Sequence, residues 1–384
     1  MRVGGVHASH VMRIGLVVYG RLDTLTGGYL YDRFLVEALR GRGHRVEVIS
    51  LAQKPYPLRL LDNLFWRPVR RPAGRNWDLM LQDALCHPSL VLSNRRMRTR
   101  GRPPIVAIVH QVLCRQPRAR LLNCAYGEVE KAYLRTVDGA LFTSRFTRDG
   151  ARGLIGRAIP MEVVPPAGDR LGRLQSARAL LERSRQPGPL KLLFVGNLSP
   201  VKGLHRLLES LSRLPFGEWR LTVAGSLTTH CSYTRRIRDL ISRRGLDSQV
   251  QLTGAVDEER LRSLYMSSQL FVMPFAHEGF GIAALEAMAF GLPVIGSAEG
   301  GVRTFVEHGR NGFLTAARDE AAVRRHIGQL HRGRDQLAAM GQAALQRFAA
   351  MPGWERAMQH GCEVLEHMAG VPQRSNAAKE PGRP

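Results

Sequence analysis

Short apolar runs that read as buried strands alternate with segments of helical period along most of this chain, and the alternation occurs in two series. In the first series strands are expected at 13–19, 46–51, 78–82, 105–109, 139–143 and 161–164. A helix is expected over 30–39, where Leu30, Phe34, Leu35, Ala38 and Leu39 share one side. Residues 165–189 mix Pro, Gly, Arg and Ser without a strand pattern and read as a linker. The second series has strands near 190–195, 220–224, 249–252, 270–273 and 293–296, and helices near 202–213, 232–244, 257–267 and 282–290. Strands separated by helices pair in parallel and are covered on both faces. The fold class that follows is α/β, with two Rossmann-like parallel-sheet domains facing a cleft. The expected domains are 1–167 and 168–353, with a last helix over about 354–370 and a disordered tail at 371–384. Ligands of such sheets sit beyond the C-terminal strand ends, which places a site in the cleft.

The stretch PFAHEGFGIAALEAMAFGLPVIGSAEGG, beginning at Pro274, carries the most chemistry. An apolar strand leads into a Gly-Phe-Gly turn that opens a helix of good helix formers, and Gly291 and Pro293 end it. The amides of Gly279, Phe280, Gly281 and Ile282 are therefore expected at a helix N-terminus, where free donors and the helix dipole suit a phosphate or diphosphate. Glu278 and Glu286 bracket the turn. Carboxylates repel phosphate, but as acceptor-only groups they suit sugar hydroxyls. Diphosphate plus hydroxyls describes a nucleotide sugar. The plainer alternative is a strand–turn–helix unit with solvated glutamates.

This stretch resembles the Glu-x7-Glu signature of retaining glycosyltransferases of family 4, which have the two-Rossmann-domain (GT-B) fold. The resemblance implies that Glu278 binds hydroxyls of the donor sugar and Glu286 the ribose of the nucleotide. It covers nearly the whole chain and is strongest over 190–315.

Five further segments bear on the resemblance. Gly27 and Gly28 follow the first strand and start a helix; without side chains they allow close backbone approach, and in the family such a pair faces the donor phosphates. A tight turn is the plainer reading and, taken alone, the better one, and the GxGxxG spacing of a dinucleotide fingerprint is missing. In LLFVGNLSPVKGL, Lys202 stands just ahead of a helix and adds a point charge to an anion site. The family's usual arginine is replaced here by Asn197, which weakens the expected diphosphate clamp. His110 ends the strand IVAIV, where the family has a histidine contacting the donor sugar; a satisfied core histidine is the alternative. Asp257 reads as the N-cap of a helix in a loop where the family holds the nucleobase. Gly300 and Gly301 match a loop near the donor, although Thr304 stands where the family often has glutamate. His277 reads as loop.

The net charge of +24 is almost all arginine, since only five lysines occur. Residues 51–120 hold fourteen basic and three acidic side chains, which suggests a basic face drawn to anionic lipid, a phosphorylated acceptor or nucleic acid. No nucleic-acid-binding motif accompanies it, so no nucleic-acid partner is expected. The segment 54–77 mixes Leu60, Leu61, Leu64, Phe65 and Trp66 with Arg59, Arg67, Arg70, Arg71 and Arg75, a pattern suited to a peripheral membrane contact or to packing on its own domain. No apolar run approaches the ~20 residues that span a bilayer. Five scattered cysteines without a CxxC pair indicate neither zinc nor a disulfide framework, and a cytoplasmic setting is expected, at the inner face of the membrane if the contact is real.

The sequence has no Asp-x-Asp pair, so no metal or other cofactor is expected. The resulting expectation is a retaining, metal-independent hexosyltransferase. It would move a sugar from a UDP- or GDP-sugar donor to a lipid, polysaccharide or small-molecule acceptor in cell-envelope glycoconjugate synthesis. Lys202, His110 and Glu278 are the expected catalytic groups. A degenerate nucleotide-sugar-binding protein and a basic nucleic-acid-binding protein are the competing readings.

Overall fold

The computed structural model describes residues 11–65, 77–97, 102–174, 176–275 and 277–370. The first sheet contains β1 (Arg13–Tyr19), β2 (Arg45–Leu51), β3 (Leu79–Asp83), β4 (Ile105–Val109), β5 (Gly139–Phe142) and β6 (Met161–Val163). It is parallel, in the order β2-β1-β3-β4-β5-β6. Its connections carry α1 (Gly27–Gly41), α2 (Tyr56–Phe65), α3 (His87–Arg96), α4 (Arg120–Leu134) and α5 (Arg145–Ile155). Next come α6 (Ala177–Arg185) and a second parallel sheet of β7 (Leu190–Val195), β8 (Trp219–Ala224), β9 (Val250–Gly254), β10 (Leu270–Met273), β11 (Val294–Ser297) and β12 (Gly312–Thr315), in the order β12-β11-β10-β7-β8-β9. Around it lie α7 (Leu204–Leu211), α8 (Cys231–Arg243), α9 (Glu258–Ser267), α10 (Ile282–Ala289), α11 (Glu320–Arg332) and α12 (Arg334–Ala349), and α13 (Trp354–Met368) follows. Two parallel six-stranded sheets with helices are the GT-B architecture.

Period-2 alternation builds two cores from the first sheet. Ile14, Leu16 and Val18 of β1 pack with Val106 and Ile108 of β4 and with α1 and α13 on one face. Val17 and Tyr19 pack with Met80, Ala107, Val109 and Phe142 on the other. The second sheet is enclosed in one larger core in which Leu192, Phe194, Phe271, Ile295 and Leu285 are buried.

The last helix returns to the first sheet. Trp354 stacks on Phe34 of α1 at 4.2 Å between ring centroids and meets Tyr31 edge-on. Its backbone amide donates to Asp169, and Glu366 near the other end accepts two bonds from Arg42.

Two features differ from the sequence reading. The segment taken as linker contains α6, capped by the Ser176 hydroxyl, whose Leu180 is buried and whose Arg183 donates to the carbonyls of Phe290 and Gly291. Its arginine-rich surface masked one narrow apolar stripe. The edge strand β12 is only four residues long and follows two glycine-containing turns, so no run marked it. Within the 54–77 segment Tyr56–Phe65 forms α2, while Trp66, Arg67, Arg70, Arg71 and Arg75, like the tail at 371–384, lie outside the described residues.

Replacing Trp354 by Ala removes an aromatic side chain that clamps α13 to α1. It should cost about 3–5 kcal/mol, read as a lower denaturation midpoint in urea.

Candidate active site

The order of each sheet reverses once, between β1 and β3 in the first and between β7 and β10 in the second. Such switch points leave a crevice at the C-terminal strand ends because the two flanking connections diverge to opposite faces. The residues singled out from the sequence lie there. Gly27 and Gly28 follow β1, His110 follows β4, Asn197 and Lys202 follow β7, and the turn of Glu278 to Gly281 follows β10.

Across the cleft the two halves meet through backbone. A Cβ on Gly279 would overlap the carbonyl oxygen of His110, and the Ser144 hydroxyl donates to the Gly279 carbonyl at 2.6 Å. Gly301 packs on Gly279 equally closely and donates its amide to the Glu278 carbonyl at 2.9 Å. Gly281 caps α10 with φ of +97°, a conformation that favours glycine. Nothing among the described residues accepts from the amides of Gly281, Ile282 and Ala283. The start of α10 therefore presents free donors, as its sequence implies. A Cβ at Gly27 would sit 3.5 Å from the Ile282 side chain, and one at Gly28 would sit 3.2 Å from the His110 ring. The amino ends of α1 and α10 thus converge, with His110 beside them. Phe280 turns inward and packs on Phe305.

Lys202 and Glu278, read separately from the sequence, form an ion pair. Asn197 spans the cleft, donating to the Leu25 carbonyl at 3.0 Å while accepting from the Ser226 amide at 2.9 Å. It ties two loops together, a neutral role that an arginine would not reproduce. Glu286 is buried. Arg170 holds one oxygen at 2.6 Å and the Tyr265 hydroxyl the other at 3.0 Å. Burial raises its pKa, opposed by Arg170. Arg170 also pairs with Glu258 at the start of α9, whose N-cap is Asp257. His277, read as loop, stacks edge-on to Phe146. Thr304 accepts through its carbonyl from Arg347. Beside the turn the cleft widens into a cavity of about 1160 Å³ whose lining includes Gln111, Arg145, His277, Glu299 and Arg303.

His110 belongs to a cluster that the sequence reading missed. Its Nε2 lies 3.0 Å from Oδ1 of Asp32, which is fully buried in α1, and Asp83 at the end of β3 completes the group. One polar atom from each of the three lies within 4.8 Å of the others. Burial alone would lower the His110 pKa, but Asp32, with help from Asp83, raises it to about 9. Burial pushes Asp83 up to about 7, against the pull of His110. Two signals were available: Asp32 follows Gly28 by one helical turn, and Asp83 ends an apolar strand, the place where site residues of this architecture gather. Arg170 and Tyr265 carried no comparable mark, being an arginine among many and an aromatic at core spacing.

Residues 181–347 match the family described as glycosyl transferases group 1. That part of the chain is similar to the group 1 glycosyl transferases. The chain is 31% identical over 193 residues to a D-inositol 3-phosphate glycosyltransferase of Corynebacterium urealyticum, covering 49% of this chain and 45% of the relative. It is 30% identical over 277 residues to the enzyme of that name from Geodermatophilus obscurus, covering 68% and 59%. The chain spans about half the length of the curated relatives it matches. Among solved structures, sucrose-phosphate synthase from Thermosynechococcus elongatus aligns with a TM-score of 0.78 at 22% identity, over 94% of this chain and 99% of that one. Anabaena HepE in complex with UDP and glucose aligns with a TM-score of 0.70 at 20% identity, over 92% and 99%. At these identities the likeness is one of fold, and it is the GT-B fold.

The cluster makes stability depend on pH. Folding raises both pKa values, His110 from 6.5 to about 9 and Asp83 from 3.8 to about 7, so folding binds protons at both groups. The stability contributed by His110 is fully present below pH 6.5 and is lost as pH rises through about 9; that of Asp83 is lost as pH rises through about 7. The urea midpoint should fall steadily between pH 6 and 9, and a midpoint that climbs over that window contradicts the assignment.

Proposed function

We propose that this chain is a retaining, metal-independent hexosyltransferase using a nucleotide-diphosphate sugar, UDP- or GDP-linked, as donor. The observation that carries the reading is the convergence of the α1 and α10 amino ends at both switch points, with Lys202, Glu278 and His110 around them. The match over 181–347 and the relatives named above support it.

In this reading the diphosphate lies against the amides of Gly281, Ile282 and Ala283 and draws Lys202 away from Glu278. Glu278 then turns to hydroxyls of the donor sugar. Glu286, fixed by Arg170 and Tyr265, receives the ribose. As the bond between the anomeric carbon and the phosphate oxygen breaks, negative charge grows on the diphosphate, and the amides, the helix dipole and Lys202 bind it more tightly than in the ground state. The acceptor oxygen bonds to the anomeric carbon on the face the phosphate leaves, and its proton passes to the departing phosphate oxygen. Configuration is retained, and no protein nucleophile is used. Gly27 and Gly28 let α1 approach the phosphates without a side-chain clash.

The acceptor is lipid-linked and the chain works at the inner face of the cytoplasmic membrane in cell-envelope glycoconjugate synthesis. Support comes from α2, where Leu58, Leu61 and Leu64 are each about half exposed beside Arg59 and Lys54. Among the described residues no helix is long and apolar enough to cross a membrane, so contact of this kind lies in the interface. A non-catalytic binding protein is the second reading, favoured by Asn197, which leaves Lys202 without the second cation of the clamp.

A donor panel read by calorimetry tests the proposal. One UDP- or GDP-sugar should bind, Glu286→Ala should weaken binding roughly 10- to 100-fold, on the scale of one or two lost hydrogen bonds to a polar ligand, and Glu278→Ala should chiefly reduce turnover. Wild-type activity in both variants removes the assignment. For the membrane contact, Leu61→Ser with Leu64→Ser should abolish co-sedimentation with anionic vesicles while leaving donor binding intact. Equal sedimentation of variant and parent argues that α2 merely packs on its own domain.

A further inference from the structure

The cluster of His110, Asp32 and Asp83 sets two buried carboxylates against one imidazole. Asp32 is fully buried and Asp83 nearly so, and both stand at the C-terminal edge of the first sheet. Oδ1 of Asp32 meets His110 Nε2, but Oδ2 is buried with no hydrogen-bond partner. Buried carboxylate oxygens without a donor are rare, because desolvation costs several kcal/mol unless a hydrogen bond or opposite charge compensates. Oδ1 of Asp83 accepts from the Leu85 amide at 2.9 Å. The other groups facing the cluster supply little positive charge. From α1, Tyr31 presents its ring edge-on to His110, while Tyr29 donates its hydroxyl to the Tyr19 carbonyl. Cys86 is a buried neutral thiol beside Asp83, and burial keeps it neutral. Arg59 acts on Asp83 from α2 but stacks over the Tyr19 ring. Across the cleft Lys202 and Glu278 satisfy each other.

We propose that Asp32 and Asp83 are positioning residues that keep His110 an imidazolium cation, which takes up in the diphosphate site the positive charge that Asn197 does not supply. This rests on the reading of the cleft as a nucleotide-sugar site. Two protons serve three groups: one makes His110 a cation that donates to Asp32, and the other sits on Asp83, one of whose oxygens lies within 4.8 Å of an Asp32 oxygen. Two carboxylates this close do not both ionise readily, so a shared proton is the cheaper arrangement. His110 adjoins Gly28 at the start of α1, so its charge adds to the dipoles of α1 and α10 where the leaving group's charge develops.

The test uses the full chain labelled with isotope at its thirteen histidines, with the His110 ring signals assigned by their loss in His110→Gln. In the wild type the His110 ring should stay protonated through pH 8 and titrate near 9. Asp32→Asn should move that midpoint down by at least about one pH unit, and Asp83→Asn should move it less, with circular dichroism showing both variants folded. In steady state with the bound donor, kcat should fall above the His110 midpoint, and in Asp32→Asn the fall should move to the lower pH with kcat at pH 8 down at least about tenfold. A neutral His110 at pH 7 in the wild type, or a midpoint untouched by Asp32→Asn, overturns the proposal; if that variant does not fold, the wild-type titration and Asp83→Asn decide alone. Elemental analysis of the purified chain is a second, independent measurement: one divalent metal ion per chain that is absent from His110→Gln would make the cluster a metal site and also overturn the proposal. The titration needs no substrate. Failure to bind any nucleotide sugar would sink the reading of the cleft while the charge of His110 was measured regardless, and a neutral His110 in an active transferase would sink this inference alone.

Discussion

Gly279 touches the carbonyl of His110 with no room for even a methyl group between them, and Ser144 closes the same contact with a hydrogen bond to the Gly279 carbonyl. Much of the site follows from this approach of two backbones. It brings the turn after β10 against the turn after β4, and so sets the start of α10 beside the start of α1. It demands a second glycine at 301, because that segment packs on the same peptide, and a third at 281, because the chain must turn through positive φ to open the helix. A side chain at 279 or 301 would push the halves apart and separate the donors at the two helix ends. The local glycine pattern and the relation between the two sheets are therefore one constraint seen at two scales.

The strands were legible because buried parallel strands are apolar on both faces and end abruptly. β1, β4, β7 and β10 stand out for that reason, and each delivers site residues from its C-terminal end. Elements whose stability comes from tertiary contact were hidden. The apolar stripe of α6 is narrow beneath its arginines, and β12 is an edge strand too short to carry a period. Within the site, single residues with a local reason for their identity were readable: the glycines, Lys202 among so few lysines, and the bracketing glutamates. What was not readable is pairing. Nothing in sequence spacing says that Lys202 meets Glu278, that Arg170 clamps Glu286 from 116 positions away, or that Asp32 faces His110. Those contacts arise only when separate βα connections converge on a switch point.

Pairing also decides how the site handles charge. Three of the acids have a local partner: Glu278 has Lys202, Glu286 has Arg170 and Tyr265, and one oxygen of Asp32 has His110. On the proposed reading a nucleotide diphosphate would add about two negative charges to this cleft, and positive charge would have to be released from an existing partner or already be in surplus. Lys202 is the releasable kind, because Glu278 is partly exposed and can exchange an ammonium for hydroxyls at modest desolvation cost. Arg170 is not, because parting it from Glu286 would leave a buried carboxylate uncompensated. The two glutamates that bracket the turn therefore differ in kind. On the proposed reading Glu278 would change partners during the reaction, whereas Glu286 would serve as an acceptor already fixed by Arg170 and Tyr265.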